Sequence, residues 1–279
     1  MSKKPKEFQK YLCTPTASHV GHEDYLESPG SAFLKYTVEA KSAVDLAKRK
    51  FAKNADKTYQ KDANDSLQHI VSAMLPAIMG HFETYQRYLF AGMFDASVYL
   101  NKFDIGAFFT RMGKISIVSI DPIRLSAYRG LQTESIGILM ADSLSGWHDP
   151  DRVNSFFNTF GLKRQLFSSN DCSQLKVLWQ LRHAIVHTGG TLTLSDAQKI
   201  PELAGFGGRK VVFENNFIYE VSRKLHPVVK KATQGIGSSF KKRFILAIPD
   251  EIKEKLNIFF SVKSSIPTWL RTKRVRLKS

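Results

Sequence analysis

The segment from residue 70 to residue 93, IVSAMLPAIMGHFETYQRYLFAGM, carries the strongest periodic pattern of the chain. Its apolar side chains recur every three or four residues, at Ile70, Val71, Met74, Ile78, Phe82, Tyr85, Leu89 and Met93. This spacing places them on one face of an α-helix. Pro76 lies inside the pattern and either kinks the helix or begins a new segment. The segment therefore predicts a long helix with one buried face.

Helical patterns also flank this segment on both sides. They predict helices over about 32–52, 131–141, 150–159, 172–187, 216–232 and 249–260, with a short one from 195. Asp149-Pro150 is typical of a helix start and Gly189-Gly190 of a helix end. Residues 115–120 alternate like a strand but fit a buried helix equally well. The predicted fold class is all-α, a helical bundle with at most a small irregular or β element.

Three segments can be distinguished along the chain. Residues 1–60 are expected to form an N-terminal arm, irregular over 1–30, followed by a helix. Residues 61–235 are expected to form the main helical domain, and residues 236–279 a basic C-terminal extension. No internal repeat is visible, and no linker composition forces a division into two domains.

Composition limits the class of protein. With 43% hydrophobic and 24% charged residues, the 279-residue chain has the composition of a folded globular protein. Two cysteines are too few for a disulfide framework or a four-cysteine zinc site, which favours a reducing cytoplasm. No stretch approaches the roughly 20 apolar residues that cross a bilayer, and no apolar run follows the basic N-terminus. The expectation is a cytoplasmic protein with no membrane partner.

The net charge of +16 is concentrated in the last quarter of the chain. Residues 209–279 hold 17 Lys and Arg against 5 Asp and Glu. This excess indicates a polyanionic partner such as RNA or DNA, although a basic surface that only aids solubility explains it too. The runs 241–243 and 271–278 are candidates for leading RNA to a site, with Phe259, Phe260 and Trp269 stacking on bases. The alternative is a solvated end with aromatic residues in the core.

The segment from Leu178 to Gly190, LWQLRHAIVHTGG, places Arg182 and His187 five positions apart at the predicted helix end. On an ideal helix such positions are about 140° apart, so the two side chains flank an edge. The long arginine side chain can still turn towards the histidine. A simpler explanation is that these cations only cap the negative end of the helix dipole.

This segment resembles the Arg-x4–6-His motif of the HEPN superfamily. His183 directly after the arginine, apolar Val186 before His187, and Gly189 soon after it all fit the family pattern. The resemblance covers about residues 65–235. It implies a compact helical bundle that forms a homodimer, with the two motifs meeting in a basic cleft. It also implies cleavage of single-stranded RNA without a metal or other cofactor.

The resemblance also implies residue roles. The RNA 2′-OH attacks the adjacent phosphate, with His187 as general acid or base and Arg182 stabilising the phosphate charge. His183 would orient His187, contact RNA or hold the dimer partner. Some HEPN proteins use an acidic residue from an earlier helix, and Glu83 is the candidate here. The alternative for Glu83 is a surface ion pair with Arg87, four residues later.

The biological setting implied by the resemblance is phage defence or a toxin–antitoxin system, with an antitoxin or regulatory protein as a possible partner. One HEPN subgroup carries a tyrosine two positions after the motif histidine, which a nucleotidyltransferase partner modifies. Gly189 occupies that position here, which puts that mode of neutralisation in doubt.

Three rival functions stay open at this point. The first is a non-catalytic HEPN module that binds RNA or a protein. The second is a zinc site on His183 and His187, with a third ligand such as His148 or Asp149, although Ala184 stands where zinc proteases have glutamate. The third is a DNA-binding helical protein, for which no convincing recognition helix is present.

Overall fold

The structure is a computed structural model that describes residues 7–11, 19–116 and 135–263. The ambiguous segment 115–120 lies outside these ranges from position 117 onwards, as do Trp269 and the basic run 271–278. Within the described ranges the chain is mostly helical, with one two-stranded sheet. The predicted all-α fold class and its small β element are confirmed.

The elements follow one another in this order. The described helices are α1 (His22–Glu27), α2 (Pro29–Lys50), α3 (Lys61–Asp95), α4 (Ile105–Gly113), α5 (Ile136–Ser143), α6 (Pro150–Asn158), α7 (Ser169–His187), α8 (Leu194–Gln198), α9 (Phe217–Lys241) and α10 (Asp250–Phe259). Short 3₁₀ turns span Phe8–Tyr11, Ala96–Tyr99 and Pro201–Phe206. Strands β1 (Thr191–Leu192) and β2 (Arg209–Lys210) pair antiparallel, with Thr191 opposite Lys210.

Helix α3 is the centre of the fold. It is 35 residues long and continues through Pro76. Most of its predicted apolar face is fully buried, including Val71, Ile78, Phe82, Tyr85, Leu89 and Met93. Helices α2, α5, α7 and α9 pack around it. Among the described residues, no helix is both long enough and apolar enough to cross a bilayer.

The N-terminal segment is more ordered than the sequence predicts. The stretch 1–30, for which an irregular arm was predicted, contains helix α1. Helix α2 already begins at Pro29. Tyr25 on α1 is buried, and its hydroxyl lies 2.8 Å from Nδ1 of His81 on α3. Helix α1 has six residues and only one buried side chain, so it is too short to show a helical period.

One hydrophobic core joins the described parts of all three sequence segments. It includes Phe33 from α2 and Phe259 and Phe260 from the C-terminal segment. Gly92 on α3 makes room for Phe259, because a Cβ at Gly92 would lie 2.3 Å from that ring. The prediction that Phe259 and Phe260 stack on RNA bases is therefore wrong, since both rings are buried.

A buried amide fixes the chain just before α7. Asn154 on α6 donates from Nδ2 to the carbonyl oxygen of Phe167 (2.9 Å) and accepts from the Phe167 backbone N–H (2.8 Å). The Phe167 ring in turn stacks on Phe82 of α3, with ring centroids 5.9 Å apart. These contacts set where α7 begins relative to α3.

Replacing this amide should destabilise the protein. We expect Asn154→Ala to lower the free energy of unfolding by about 2–3 kcal/mol, because both backbone groups of Phe167 lose their buried partner. Urea unfolding measures this, with Asn158→Ala as the control. Asn158 is exposed on the same helix, so its loss should change stability by less than about 0.5 kcal/mol. Equal effects of the two variants would contradict the structural role of Asn154.

Candidate functional site

Helix α7 has well-defined ends. At its start, the Ser168 hydroxyl accepts from the backbone N–H of Asp171, and the Asp171 carboxylate accepts from that of Ser168. At its end, Gly189 and Gly190 have φ values of +61° and +77°, which glycine adopts readily. The Gly190 N–H donates to the carbonyl of Ala184 (2.9 Å). The predicted helix end is thus confirmed, and it leaves His187 in the last turn.

Arg182 and His187 are in direct contact. Nη1 of Arg182 lies 3.1 Å from Nε2 of His187. An arginine can only donate, so Nε2 is the acceptor in this contact. His187 is exposed and Arg182 is half-buried. The arginine side chain therefore spans the angular gap that the helix leaves between the two positions.

Polar atoms without partners cluster on the same stretch of α7. Nε1 of Trp179, Nε2 of Gln180 and Nε of Arg182 are buried without a hydrogen-bond partner among the described residues. Such atoms cost free energy and are uncommon in native proteins. Three of the six such atoms among the described residues therefore lie on this one turn of α7.

His183 lies beside the pair. Its ring centroid is 4.8 Å from that of His187, and the side chain is exposed. Asp196, on α8, is an acidic residue near His183. A hydrogen bond from Lys199 holds the pKa of the Asp196 carboxyl below its usual value, and a hydrogen bond from Thr193 and the charge of His183 add to this effect. The structure thus brings Arg182, His183 and His187 together, as the sequence predicts.

Residues 191–211 form a small lobe on α7 beside the motif. Its own apolar cluster contains Leu192, Ala197 and Leu203, packed on Ala184 of α7. The Val211 N–H donates to the carbonyl of Gly190 (2.7 Å), which joins the lobe to the helix end. This lobe contains the Gly-rich stretch 205–208, and Gly208 has a φ of +80°.

The lobe adds groups that sequence reasoning missed. The Arg209 guanidinium lies over the Phe206 ring, 5.4 Å from its centroid. Lys210 and His69 line a groove of about 400 Å³ beside the end of α7. The other lining residues are Asp65, Gln68, Ser72, Ala73, Ile185, Gly189, Gly190, Val211 and Val212. No spacing in the sequence links these positions, because His69 and Lys210 are 141 positions apart.

Glu83 is not part of this constellation. It forms an ion pair with Arg87 (2.6 Å), which also pairs with Asp142 of α5 (3.1 Å). The first turns of α3 line the groove at the end of α7, and Glu83 lies about 15 Å further along α3 than Ala73. The expected support of Arg182 by Glu83 is therefore corrected to an ion pair between α3 and α5.

The zinc site considered for His183 and His187 has no third ligand beside this pair among the described residues. The described residues contain no group of three or more His, Cys, Asp or Glu side chains placed to hold one ion. The His148 ring makes an edge contact with Trp179, at a centroid distance of 6.3 Å. Cys172 is buried, and burial raises the pKa of its thiol to about 12, as expected of a structural cysteine rather than a nucleophile.

Comparisons of this chain with protein-family models, with curated proteins and with solved structures found no match. The resemblance to the HEPN superfamily therefore rests on the motif in α7 and its helical setting. What the site does must be argued from its own geometry.

Proposed function

We propose that the protein is a metal-independent endoribonuclease of the HEPN type that cleaves single-stranded RNA. The observation that carries this proposal is the 3.1 Å contact between Nη1 of Arg182 and Nε2 of His187 at an exposed helix end. It combines an imidazole, a group able to take or give a proton, with a guanidinium, able to bind a phosphate.

The chemistry follows from these two groups. Nε2 of His187 takes the proton of the RNA 2′-OH as the 2′-oxygen attacks the adjacent phosphorus. The bond from phosphorus to the 5′-oxygen breaks, and that oxygen receives a proton, leaving a 2′,3′-cyclic phosphate and a 5′-OH. Arg182 turns its N–H groups to the non-bridging oxygens, where charge accumulates in the transition state.

This reaction needs an acid as well as a base, and a histidine in its protonated form can give the leaving 5′-oxygen its proton. In the proposed homodimer, the acid is then the protonated His187 of the second copy. Exposed apolar side chains surround the motif and support association there: Val186 (46% exposed), Leu194 (70%), Phe206 (51%) and Val212 (52%). We place this activity in the cytoplasm, in phage defence or a toxin–antitoxin system with an antitoxin or regulator as partner.

The first experiment is cleavage of a single-stranded RNA by the purified protein in EDTA, with analysis of the product ends. Cleavage that leaves 2′,3′-cyclic phosphate and 5′-OH ends is the expected result. Cleavage that EDTA abolishes would replace this proposal with a metal-dependent mechanism. RNA binding without any cleavage would instead indicate the non-catalytic HEPN module.

A further inference from the structure

Two arginines from distant parts of the chain are fixed on the loop between α6 and α7. Arg111, in α4, donates from Nε to the carbonyl oxygen of Thr159 (2.9 Å). Arg243, just after α9, donates from Nη1 to the carbonyl oxygen of Phe160 (2.8 Å). Backbone carbonyls thus hold both guanidinium groups in place and leave each with further N–H donors.

Gly161 leaves an open space between these two groups. It is exposed and has a φ of +69°. The position that a Cβ would occupy lies 3.5 Å from Nη1 of Arg243 and 3.9 Å from Nη2 of Arg111. Apart from the glycine and its chain neighbours, no other described atom comes within 4 Å of that position. The open space beside this position is therefore bordered by N–H groups of both arginines, and an anion that enters it can approach both.

Further basic residues lie close to Gly161 in the sequence. Lys163 and Arg164 follow shortly after Gly161, and the Arg164 guanidinium packs against Gly235 in α9. The ion pairs formed by the described residues include none of Arg111, Lys163, Arg164, Lys242 and Arg243. Guanidinium groups held close together without a carboxylate repel one another unless an anion lies between them.

We propose that this Gly161 site (Arg111, Gly161, Lys163, Arg164 and Arg243) binds a phosphate of an RNA backbone outside the cleavage site. The choice of RNA as the ligand rests on the proposed function. Guanidinium forks match the paired oxygens of a phosphodiester, and a contact to phosphate carries no base preference.

The Gly161 site is separate from the Arg182/His187 pair. The Gly161 site precedes the start of α7, whereas the pair lies at the end of this helix. The 19 residues of α7 span about 28 Å, and this length separates the two ends of the helix. A long RNA can contact both places at once, but an RNA of a few nucleotides bound at the pair does not extend to the Gly161 site. The site therefore selects for long RNA chains and adds affinity without sequence preference.

Two substitutions of Gly161 test this site, and they introduce side chains of nearly the same shape but different charge. Aspartate and asparagine are the residues, after glycine, that best tolerate a positive φ. Gly161→Asp places a carboxylate between the arginines and so occupies the site, whereas Gly161→Asn places a neutral amide there. Thermal unfolding of both variants establishes that each is folded.

The measurement is equilibrium binding of 2′-O-methyl RNA in the presence of EDTA. The 2′-O-methyl group replaces the attacking hydroxyl and so prevents cleavage. For an RNA of about 30 nucleotides, we expect Gly161→Asp to bind about fivefold more weakly than Gly161→Asn at low salt. The slope of log affinity against log salt should also be smaller by about 0.7 for each phosphate that the variant no longer binds. For an RNA of about four nucleotides, we expect equal affinities, since it does not reach the site.

Each other outcome overturns the inference. Equal affinities of the two variants for the long RNA would show that no phosphate binds at Gly161. An equal loss for the long and the short RNA would show that the substitution acts at the Arg182/His187 pair. A difference seen only with anionic lipid vesicles or an acidic peptide would assign the site to another ligand. Because cleavage is blocked in this assay, a wild-type protein that fails to cut RNA overturns the proposed ribonuclease without affecting this result.

Discussion

We expect His187→Ala to lower the rate of RNA cleavage by about a thousandfold or more, because a positioned general base contributes a factor of about 10²–10⁴. Among the described residues, no other side chain is hydrogen-bonded to Arg182 and could replace His187. Arg182→Ala should lower the rate by about 10²–10³, because the transition-state charge loses its guanidinium. Arg182→Lys should restore little of this rate, since an ammonium lacks the planar fork. Single-turnover rates in EDTA, at one fixed protein concentration, measure all three.

Two further substitutions serve as controls for the size of these losses. His183→Ala should lower the rate by only about tenfold, because His183 contacts the ring of His187 and not Arg182. Glu83→Gln should change the rate by less than about twofold, since Glu83 pairs with Arg87 and lies away from the motif. A loss at Glu83 as large as the loss at His187 would contradict the position that the structure gives to Glu83.

Chemical rescue separates a catalytic loss from a structural one. His187 is exposed at the end of α7, so free imidazole can reach the space that His187→Ala leaves. We expect added imidazole to restore part of the cleavage by His187→Ala and none of that by Arg182→Ala. Absence of rescue, together with a lowered melting temperature of His187→Ala, would instead indicate that His187 holds the helix end.

Features within one long helix were predictable from the sequence. The buried face of α3 was visible because its apolar residues repeat every three or four positions from Ile70 to Met93. The approach of Arg182 to His187 was foreseeable because both lie on one helix, where spacing sets direction and side-chain length sets reach. The end of α7 was marked by Gly189 and Gly190, whose positive φ values the sequence signals through glycine.

Features that join separate segments were not predictable. Glu83 was chosen because some HEPN proteins use an acidic residue from an earlier helix. Which part of α3 lies beside the motif, however, depends on how α3 and α7 are aligned along their length. His69 and Lys210 meet at the groove for the same reason. Arg111 and Arg243 meet at Gly161 only because α4, α9 and the loop after α6 converge there.

Glycines in helices show the same limit. From the sequence alone, Gly80 and Gly137 are expected to destabilise their helical segments to the same extent, because glycine has a low helix propensity. In the structure, a Cβ at Gly80 meets nothing within 4 Å, whereas a Cβ at Gly137 would lie 2.1 Å from the carbonyl oxygen of Ala91. Gly137 is thus where α5 approaches the backbone of α3. Its N–H donates to the Asp95 carboxylate on α3 (2.8 Å), and the Ser135 hydroxyl bonds to the same carboxylate.

We expect Gly137→Ala to be the most destabilising single methyl that the described core can receive, at about 3 kcal/mol or more. The contact is with backbone, so no side chain can rotate away. The start of α5 would have to move off α3, which would break the hydrogen bond to Asp95 and open space beside the buried side chains of α5. Urea unfolding should show a lower midpoint with a similar slope, because the folded state loses stability without a change in the surface exposed on unfolding.

Gly80→Ala should have the opposite sign. Gly80 is exposed within α3, so an alanine there clashes with nothing and removes conformational freedom from the unfolded chain. We expect a gain of about 0.5–1 kcal/mol, measured in the same urea titration. The two substitutions are chemically identical, so opposite signs would follow from the close approach of α5 to α3 and not from helix propensity. If Gly137→Ala also stabilised the protein, α5 could not lie against the backbone of α3 at Ala91.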